Sequence, residues 1–260
     1  MKFLIAKDFA LREFEKVTDK LNPPKLRQVY GQAIGVLVVD NPFPRIPGDI
    51  ANATTYPFPV RFKVVEKIYV KDIVCEKPDQ SVCKRYIEEA QALEKEGIRA
   101  ITTSCGYLSY FQDEIAEALN IPVFTSSLIQ VPMVSKMLGK NSRIGIICAN
   151  GQVLTKTHLQ KSGIDDSTPV AVVGLDKYWS MVRGQDPEKR QNGWDRALST
   201  VGKQMVSQNP DLGAFVLECT NFPPGSAALQ EATGLPVFDI VTLIYMIHEV
   251  VVRKRYSGHM

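Results

Sequence analysis

The stretch ITTSCGYLSY, residues 101–110, has a counterpart later in the chain, FVLECTNFPPG at residues 215–225. In each stretch, a short apolar run rich in β-branched or aromatic residues is typical of a buried strand. Each run ends on a polar residue that is followed by a cysteine, Cys105 in the first stretch and Cys219 in the second. We therefore interpret the two stretches as copies of one structural unit.

The similarity extends on both sides of the two cysteines. Downstream, IPVF at 121–124 matches LPVF at 235–238, and in each the proline stands 17 residues after the preceding cysteine. Upstream, IGVLVVDN at 34–41 resembles IGIICANG at 144–151. A repeat this long, present only twice, indicates two similar α/β lobes rather than an array of small stacked repeats. If each cysteine ends the equivalent strand of its own lobe, the two thiols face each other across the cleft between the lobes.

The order of the predicted elements divides the chain into three parts. Apolar residues at helical spacing near the N-terminus predict a helical extension over 1–30. The first lobe is predicted to comprise 31–127 together with 235–260, and the second lobe 128–234. The first lobe is discontinuous in this division because the last predicted helix packs back on it.

Between the repeated motifs, local patterns predict further elements. The segment from Asn41 to Phe62 is so rich in proline and glycine that we expect a long ordered loop. Because it leaves the carboxyl end of a parallel strand, we expect it to reach the cleft. Val64 to Val74 is predicted as a strand. Asp186 followed by Pro187 is typical of a helix start, and that helix leads toward Gln208.

Composition places the chain among globular proteins that act on small molecules. With 260 residues and 45% hydrophobic side chains, it can bury a sizeable core without disulfides or metals. The formal net charge is only +3, and no basic run with interleaved aromatic residues suggests nucleic-acid binding. No apolar run approaches the length of a membrane span, and the N-terminal apolar patch is shorter than a secretion signal requires. Five irregularly spaced cysteines indicate reduced thiols, so we expect a cytoplasmic protein. From the charge and the apolar runs we expect neither a nucleic-acid nor a membrane partner.

The motifs of several common catalytic and cofactor-binding sites are absent from the sequence. The sequence contains no GxGxxG, Walker phosphate loop, GxSxG or HExxH motif, so a nucleotide cofactor is not indicated. The spacing of Cys75 and Cys83 suits no common zinc site, and the three histidines are scattered. We therefore expect no cofactor and no metal, which leaves cysteine as the candidate for the chemistry.

A cysteine can transfer protons on its own. Its ordinary pKa of about 8.5 falls at a helix N-terminus, where we expect both Cys105 and Cys219 to lie. Free backbone N–H groups there can hold a substrate carboxylate, and one donor aimed at developing charge contributes roughly 2.7–4 kcal/mol. Two opposed thiols with a carboxylate between them indicate removal of a proton on one face and its return on the other. The competing interpretation is two buried structural thiols; the duplicated setting favours function.

At this point the residues resemble a known family. TTSCG at 102–106 and LECTNFP at 217–223, with VDN at 39–41 and NSRIGIICANG at 141–151, resemble the aspartate/glutamate racemase superfamily, which includes glutamate, aspartate and hydantoin racemases. The resemblance implies an α/β fold of two pseudo-symmetric flavodoxin-like (Rossmann-like) three-layer lobes with mainly parallel sheets and the active site in the cleft between them. It also implies a racemase or epimerase that needs neither pyridoxal phosphate nor metal.

The resemblance assigns roles to individual residues. Cys105 and Cys219 take the roles of opposed acid and base at the substrate Cα. Thr220 stands where the family binds a substrate carboxylate, and Asp40-Asn41 replaces an Asp-Ser pair that lines the site. The expected partner is a small carboxylic or amino acid, and we expect a homodimer. The full set of predicted substrate-binding residues is Asp40, Asn41, Ser104, Gly106, Tyr107, Thr220 and Asn221.

The chain departs from glutamate racemases at both cysteine motifs. Those enzymes usually have Cys-Asn-Thr and Gly-Cys-Thr-His, whereas CGY stands at 105–107 and ECTN at 218–221 here. Glutamate is therefore disfavoured as the substrate. A carboxylate of Glu218 beside a thiolate would raise the thiol pKa, but strand alternation predicts that Glu218 points away from the site.

Two other functions stay open. Arylmalonate decarboxylases and maleate isomerases resemble the same superfamily. The presence of both cysteines counts against a decarboxylase but is compatible with an isomerase that uses one cysteine as a nucleophile. A non-catalytic carboxylate-binding protein is the third alternative. Four loop residues could reach a second carboxylate, although the ordinary expectation for each is solvation: Arg45, Arg61, Asn52 and Thr54.

Overall fold

The structure, a computed structural model, describes residues 29–139, 141–182 and 186–259. The helical extension predicted over 1–30 lies almost entirely outside these residues, so it stays a prediction. None of the helices within the described ranges combines the length and hydrophobicity that crossing a bilayer requires.

Two parallel sheets of four strands each form the centre of the described chain. The first contains β1 (Ile34–Val39), β2 (Val60–Val65), β3 (Ala100–Thr103) and β4 (Val123–Phe124). The second contains β5 (Arg143–Cys148), β6 (Val170–Gly174), β7 (Leu212–Leu217) and β8 (Val237–Phe238). Their strand orders, β2-β1-β3-β4 and β6-β5-β7-β8, are the same. This match confirms the duplicated α/β fold predicted from the sequence.

Helices flank the two sheets. The two longest are α2 (Gln80–Glu96) and α6 (Pro187–Gln208), and α6 begins and ends where the sequence predicts. The carboxylate of Asp79 caps α2, Gly97 ends it with a left-handed φ of 95°, and Asp186 caps α6 with Pro187 in its first turn. The helices are α1 (Val70–Ile73), α2 (Gln80–Glu96), α3 (Gln112–Glu117), α4 (Val131–Met137), α5 (Lys156–Lys161), α6 (Pro187–Gln208), α7 (Ser226–Thr233) and α8 (Ile240–Val251).

Two matched glycines explain why β1 and β5 share an Ile-Gly motif. Gly35 pairs with Ile101 of β3, and Gly145 pairs with Phe215 of β7. A Cβ on Gly35 would lie 2.9 Å from the Ile101 side chain, and a Cβ on Gly145 would lie 2.8 Å from the Phe215 ring. Cβ atoms do not approach other atoms this closely, so glycine is what lets the neighbouring side chain cover each strand.

The helix after the last strand of each sheet packs against the other sheet. Val131 and Val134 of α4 pack in a buried cluster with residues of β5 and β7, and Leu243 and Ile244 of α8 pack with residues of β1 and β3. The strand β8 itself pairs with β7 in the second sheet. Val237 and Phe238 thus lie in the second sheet, and the predicted division of the chain into lobes stays a prediction.

The segment predicted as a strand at Val64 to Val74 folds differently. The strand β2 begins earlier and ends at Val65, and residues 70–73 form α1. Between them Lys67 adopts a left-handed φ of 64°, which ends the extended conformation. The Asp72 carboxylate then accepts a backbone N–H at 2.8 Å and closes the first turn of α1. A short apolar run does not distinguish a strand from a short helix, which is why the prediction was wrong here.

Candidate active site

A cavity of about 320 Å³ lies where the carboxyl ends of the central strands of the two sheets meet. Ser104 and Cys105 follow β3, Ala149 follows β5, and Glu218 and Cys219 follow β7; all five line the cavity. In parallel α/β sheets this edge is where ligands bind. The two halves of the repeat thus contribute equivalent positions to one shared space.

The structure brings the two predicted cysteines to this one cavity. Cys105 is half-buried and Cys219 is 8% exposed. Both cysteines line the cavity, and a charge on Cys105 raises the pKa of Cys219. Their placement is the one that the repeat predicted, whereas their roles in catalysis stay a prediction.

The resting pKa values of the two thiols differ from the expectation. Burial, followed by the charge of Glu218, raises the pKa of both Cys105 and Cys219 above its ordinary value. The backbone N–H of Tyr107 lowers the pKa of Cys105, and that of Asn221 lowers the pKa of Cys219, but both effects are smaller. The expected lowering is wrong because burial outweighs these N–H groups; a 3-10 turn follows Cys105 directly, whereas the one after Cys219 begins only at Pro223.

Most of the predicted substrate-binding residues line the cavity, but their hydroxyl groups are already engaged. Ser104 Oγ accepts the Val39 N–H at 2.9 Å, and Thr220 Oγ1 donates to the Ser104 carbonyl at 2.7 Å. Tyr107 Oη donates to the Asn150 carbonyl at 2.6 Å. The bonds of Thr220 and Tyr107 join the two halves of the repeat across the cavity. The predicted residues at the cavity wall are Asn41, Ser104, Gly106, Tyr107, Thr220 and Asn221.

Asp40 is the predicted site residue that the structure does not bring to the cavity wall. Its carboxylate accepts the backbone N–H of Lys67 at 2.9 Å, in the turn that follows β2. The prediction for Asp40 is therefore wrong as to position. By accepting this hydrogen bond, the Asp40 side chain stabilises the turn in which Lys67 adopts its left-handed φ.

The long loop after β1 reaches the cavity, as predicted, and supplies a charged network that ends at Cys219. Arg45 lines the cavity and donates to the buried Asp49 at 3.2 Å. Asp49 also accepts a hydrogen bond from Asn221 Nδ2 at 2.7 Å, and the Cys219 thiol lies 3.8 Å from Asn221 Oδ1. Arg45 therefore has a site position rather than the solvated one expected for it.

Glu218 lies in the site, contrary to the prediction from strand alternation. It is 1% exposed and borders the cavity, and its Oε2 accepts the Ala149 N–H at 3.1 Å. Burial raises the pKa of Glu218 to about 8. The prediction was wrong because β7 ends at Leu217, so the alternation of strand side chains no longer applies one residue later.

Aromatic and apolar side chains form much of the remaining wall. Phe43 and Trp179 border the cavity and meet edge to face, with ring centroids 6.5 Å apart. The Trp179 indole donates to the Ala149 carbonyl at 3.2 Å, which fixes the ring. The guanidinium of Arg190 stacks over Phe43 at 4.1 Å from the ring centroid. This side of the cavity is therefore apolar, with positive charge behind it.

The sequence offered unequal signals for the site residues that were missed. Phe43 stands in the loop that was expected to reach the cleft, so its place could have been inferred from that loop. Trp179 stands in the 3-10 turn after β6, the second-lobe counterpart of β2, and no motif marks it. Among the described residues, no group of three or more His, Cys, Asp or Glu side chains is arranged to hold a metal ion.

Comparisons with known proteins show which family the chain is similar to. The family model "Asp/Glu/Hydantoin racemase" matches residues 69–246. A dimethylsulfoniopropionate lyase of Durusdinium sp. clade D is 29% identical over 90% of this chain and 80% of its own length. Dimethylsulfoniopropionate lyase 3 of Emiliania huxleyi is 30% identical over 88% of this chain, but the chain spans only 62% of that relative's length.

Solved structures share the fold at low sequence identity. A glutamate racemase of Bacillus anthracis matches with a TM-score of 0.53 and 15% identity, covering 86% of this chain and 85% of its own. An unliganded arylmalonate decarboxylase matches with a TM-score of 0.56 and 14% identity, covering 88% of this chain and 95% of its own. At such identities the likeness concerns the two-lobed fold and leaves the reaction open.

Proposed function

Because the chain belongs to the Asp/Glu/hydantoin racemase family and is an enzyme of the racemase/lyase type, we propose that it is a cofactor-independent lyase that cleaves dimethylsulfoniopropionate or a close analogue. Relatives named as dimethylsulfoniopropionate lyases cover most of the chain and support this substrate class. The observation that carries the proposal is the composition of the cavity wall.

The wall suits a sulfonium cation better than an ammonium group. Among the described residues that line the cavity, Glu218 is the one carboxyl group. An amino acid would bring an ammonium group with three N–H donors, which requires several acceptors. A dimethylsulfonium group carries a positive charge but no donor, so aromatic rings and apolar side chains are a suitable surround. Trp179, Val70 and Val74 provide these, whereas Phe43 already faces the guanidinium groups of Arg45 and Arg190.

The other end of the substrate would lie near Cys105. Arg45 lines the same cavity, and its charge lowers the pKa of Cys105 against the effect of burial. A carboxylate bound to Arg45 would therefore have its α-carbon close to the Cys105 sulfur. This orientation makes Cys105 the base of the proposed reaction.

The proposed reaction is a β-elimination. The Cys105 thiolate removes a proton from the carbon next to the carboxylate, and the C–H electron pair forms the double bond between the α and β carbons. The bond from the β carbon to sulfur breaks, and its electron pair leaves with the sulfur. The products are acrylate and dimethyl sulfide, and the proton passes from the thiol to solvent.

A two-base racemase or epimerase of an amino acid or related small acid is the second candidate. The observation that favours it is that Cys105 and Cys219, from the two halves of the repeat, border the same cavity. Such an enzyme would need both thiols, one to remove the proton and the other to return it to the opposite face. We expect Cys105→Ala and Cys219→Ala each to abolish racemisation while the fold survives.

One experiment separates these functions. The purified protein is incubated in deuterated water with dimethylsulfoniopropionate and, separately, with a panel of amino acids, and the products are followed by proton NMR and chiral chromatography. Acrylate with dimethyl sulfide supports the lyase. Deuterium at Cα with loss of optical purity supports the racemase instead, and an altered carbon skeleton supports a decarboxylase or isomerase. Unchanged substrates would contradict catalysis and leave a carboxylate-binding protein.

A further inference from the structure

One oxygen of the buried Glu218 carboxyl has no hydrogen-bond partner among the described residues. Oε2 accepts the Ala149 N–H, whereas Oε1 is fully buried and unpaired. Leaving an ionised oxygen buried without a donor is unfavourable, so such a group is expected to hold or exchange a proton. The elimination described above gives Glu218 no task, although it stands beside the proposed base.

The carboxyl fits only because residue 106 is glycine. A Cβ on Gly106 would overlap both Glu218 Oε1 and the Glu218 carbonyl oxygen. This close packing holds Glu218 against the turn that carries Cys105. The groups that face Glu218 are acids from three elements, and the charge of Glu218 raises the pKa of each: Cys105 and Tyr107 after β3, Cys148 at the end of β5, and Cys219 after β7. Beyond them, Arg45 acts on Cys105, and Asp49 acts on Cys219.

We propose that Glu218 and Cys105 share one negative charge: once the pair has lost one proton, the charge lies either on the Glu218 carboxylate or on the Cys105 sulfur, and Glu218 is neutral whenever Cys105 is a thiolate. The inference rests on the proposed function in naming Cys105 as the base. Glu218 is in this account a positioning residue, because it acts on the substrate only through the thiol.

The proton balance closes over one turnover. Cys105 Sγ first loses its proton to solvent while Glu218 keeps its own, so that the cavity carries a single negative charge, on sulfur. The thiolate then takes the α-proton of the substrate and becomes a thiol again. Glu218 keeps its proton throughout, so the starting state returns with one proton released to solvent for each acrylate formed. With a pKa of about 8, Glu218 is mostly neutral near neutral pH, and its ionisation above this pH disfavours the Cys105 thiolate.

The test is the pH dependence of Cys105 alkylation by iodoacetamide, followed for each cysteine by mass spectrometry in the wild type and in Glu218→Gln. Below pH 8 the rate is expected to rise about tenfold per pH unit in both proteins, since only the thiolate reacts. Above pH 8 the wild-type rate levels off, because ionisation of Glu218 competes with ionisation of the thiol. The rate in Glu218→Gln continues to rise and exceeds the wild-type rate about tenfold at pH 9.

Parallel profiles in the two proteins would overturn the proposal. Cys75, which is not on the cavity wall, is the internal control and should be labelled with the same profile in both proteins. Glu218→Asp should restore the levelling, which a merely structural role would not predict. If Glu218→Gln does not fold, a wild-type rate that rises without levelling through pH 9 overturns the proposal. Alkylation needs no substrate, so a levelled profile without dimethyl sulfide release would refute the proposed function but not this inference.

Discussion

Replacing Glu218 by glutamine should stabilise the protein, and the gain should depend on pH. Glu218 is 1% exposed and its pKa in the folded protein is about 8, whereas an unfolded glutamate ionises near about 4.3. Between these values the folded chain binds more protons than the unfolded chain, so stability falls as pH rises. Glutamine keeps the shape of the side chain and stays neutral, which removes this loss.

The magnitude follows from the width of that interval. Each pH unit between the two pKa values costs up to about 1.4 kcal/mol. From about pH 4.5 to pH 7.5 the sum is about 4 kcal/mol, which is an upper limit because a carboxyl in the unfolded chain is itself partly shielded. At pH 4.5 the buried Glu218 side chain of the folded wild type is neutral, as is the glutamine that replaces it. Glu218→Gln should therefore change the free energy of unfolding little at this pH.

The assay is urea unfolding of the wild type and Glu218→Gln at pH 5.0 and 7.5, followed by tryptophan fluorescence and circular dichroism. The exposed Glu231→Gln is the matched control and should shift stability by the same small amount at both pH values. If the free energies of unfolding of the wild type and Glu218→Gln differ by the same amount at the two pH values, the reasoning is refuted. Glu218 would then have the same pKa in the folded and unfolded states.

The close packing and the bonds across the cavity lead to two further predictions. Gly106→Ala should cost about 1–3 kcal/mol of unfolding free energy and lower activity, because the added Cβ lies 2.9 Å from Glu218 Cδ; Gly139→Ala, which meets nothing within 4 Å, is the control, and equal stability of the two variants would contradict the packing argument. Tyr107→Phe should cost about 1–3 kcal/mol in the same urea assay, because the Asn150 carbonyl and N–H both lose the phenolic hydroxyl. An unchanged unfolding midpoint for Tyr107→Phe would show that this bridge does not stabilise the fold.

The repeat allowed much of the fold to be predicted from the sequence. Matching Ile-Gly motifs placed Gly35 and Gly145 on equivalent strands, and the spacing of the later prolines placed Cys105 and Cys219 at equivalent strand ends. The two parallel sheets of identical order follow from that duplication. Local chemistry was equally informative at Asp186, where an N-cap followed by proline marks the start of α6.

The errors arose where the chain leaves regular structure. Glu218 was assigned an outward direction by a rule that holds only within a strand, and β7 ends one residue before it. Asp40 lies at the end of β1, and whether it turns toward the cavity depends on a left-handed residue, Lys67, that no local pattern marks. The pairing of β8 depends on contacts with β7, which lies twenty residues earlier, and is not encoded in the sequence of β8 itself.

The central claim is that a cavity thiol removes the proton next to a substrate carboxylate, and release of dimethyl sulfide under single-turnover conditions tests it most directly. The wild type, Cys105→Ala and Cys219→Ala are mixed in excess with dimethylsulfoniopropionate, and dimethyl sulfide is measured by headspace gas chromatography, with Cys75→Ala as the control. We expect release by the wild type and by Cys75→Ala, none above background by Cys105→Ala, and at least partial release by Cys219→Ala. Release by Cys105→Ala at the wild-type rate, or no release by the wild type, would contradict the account.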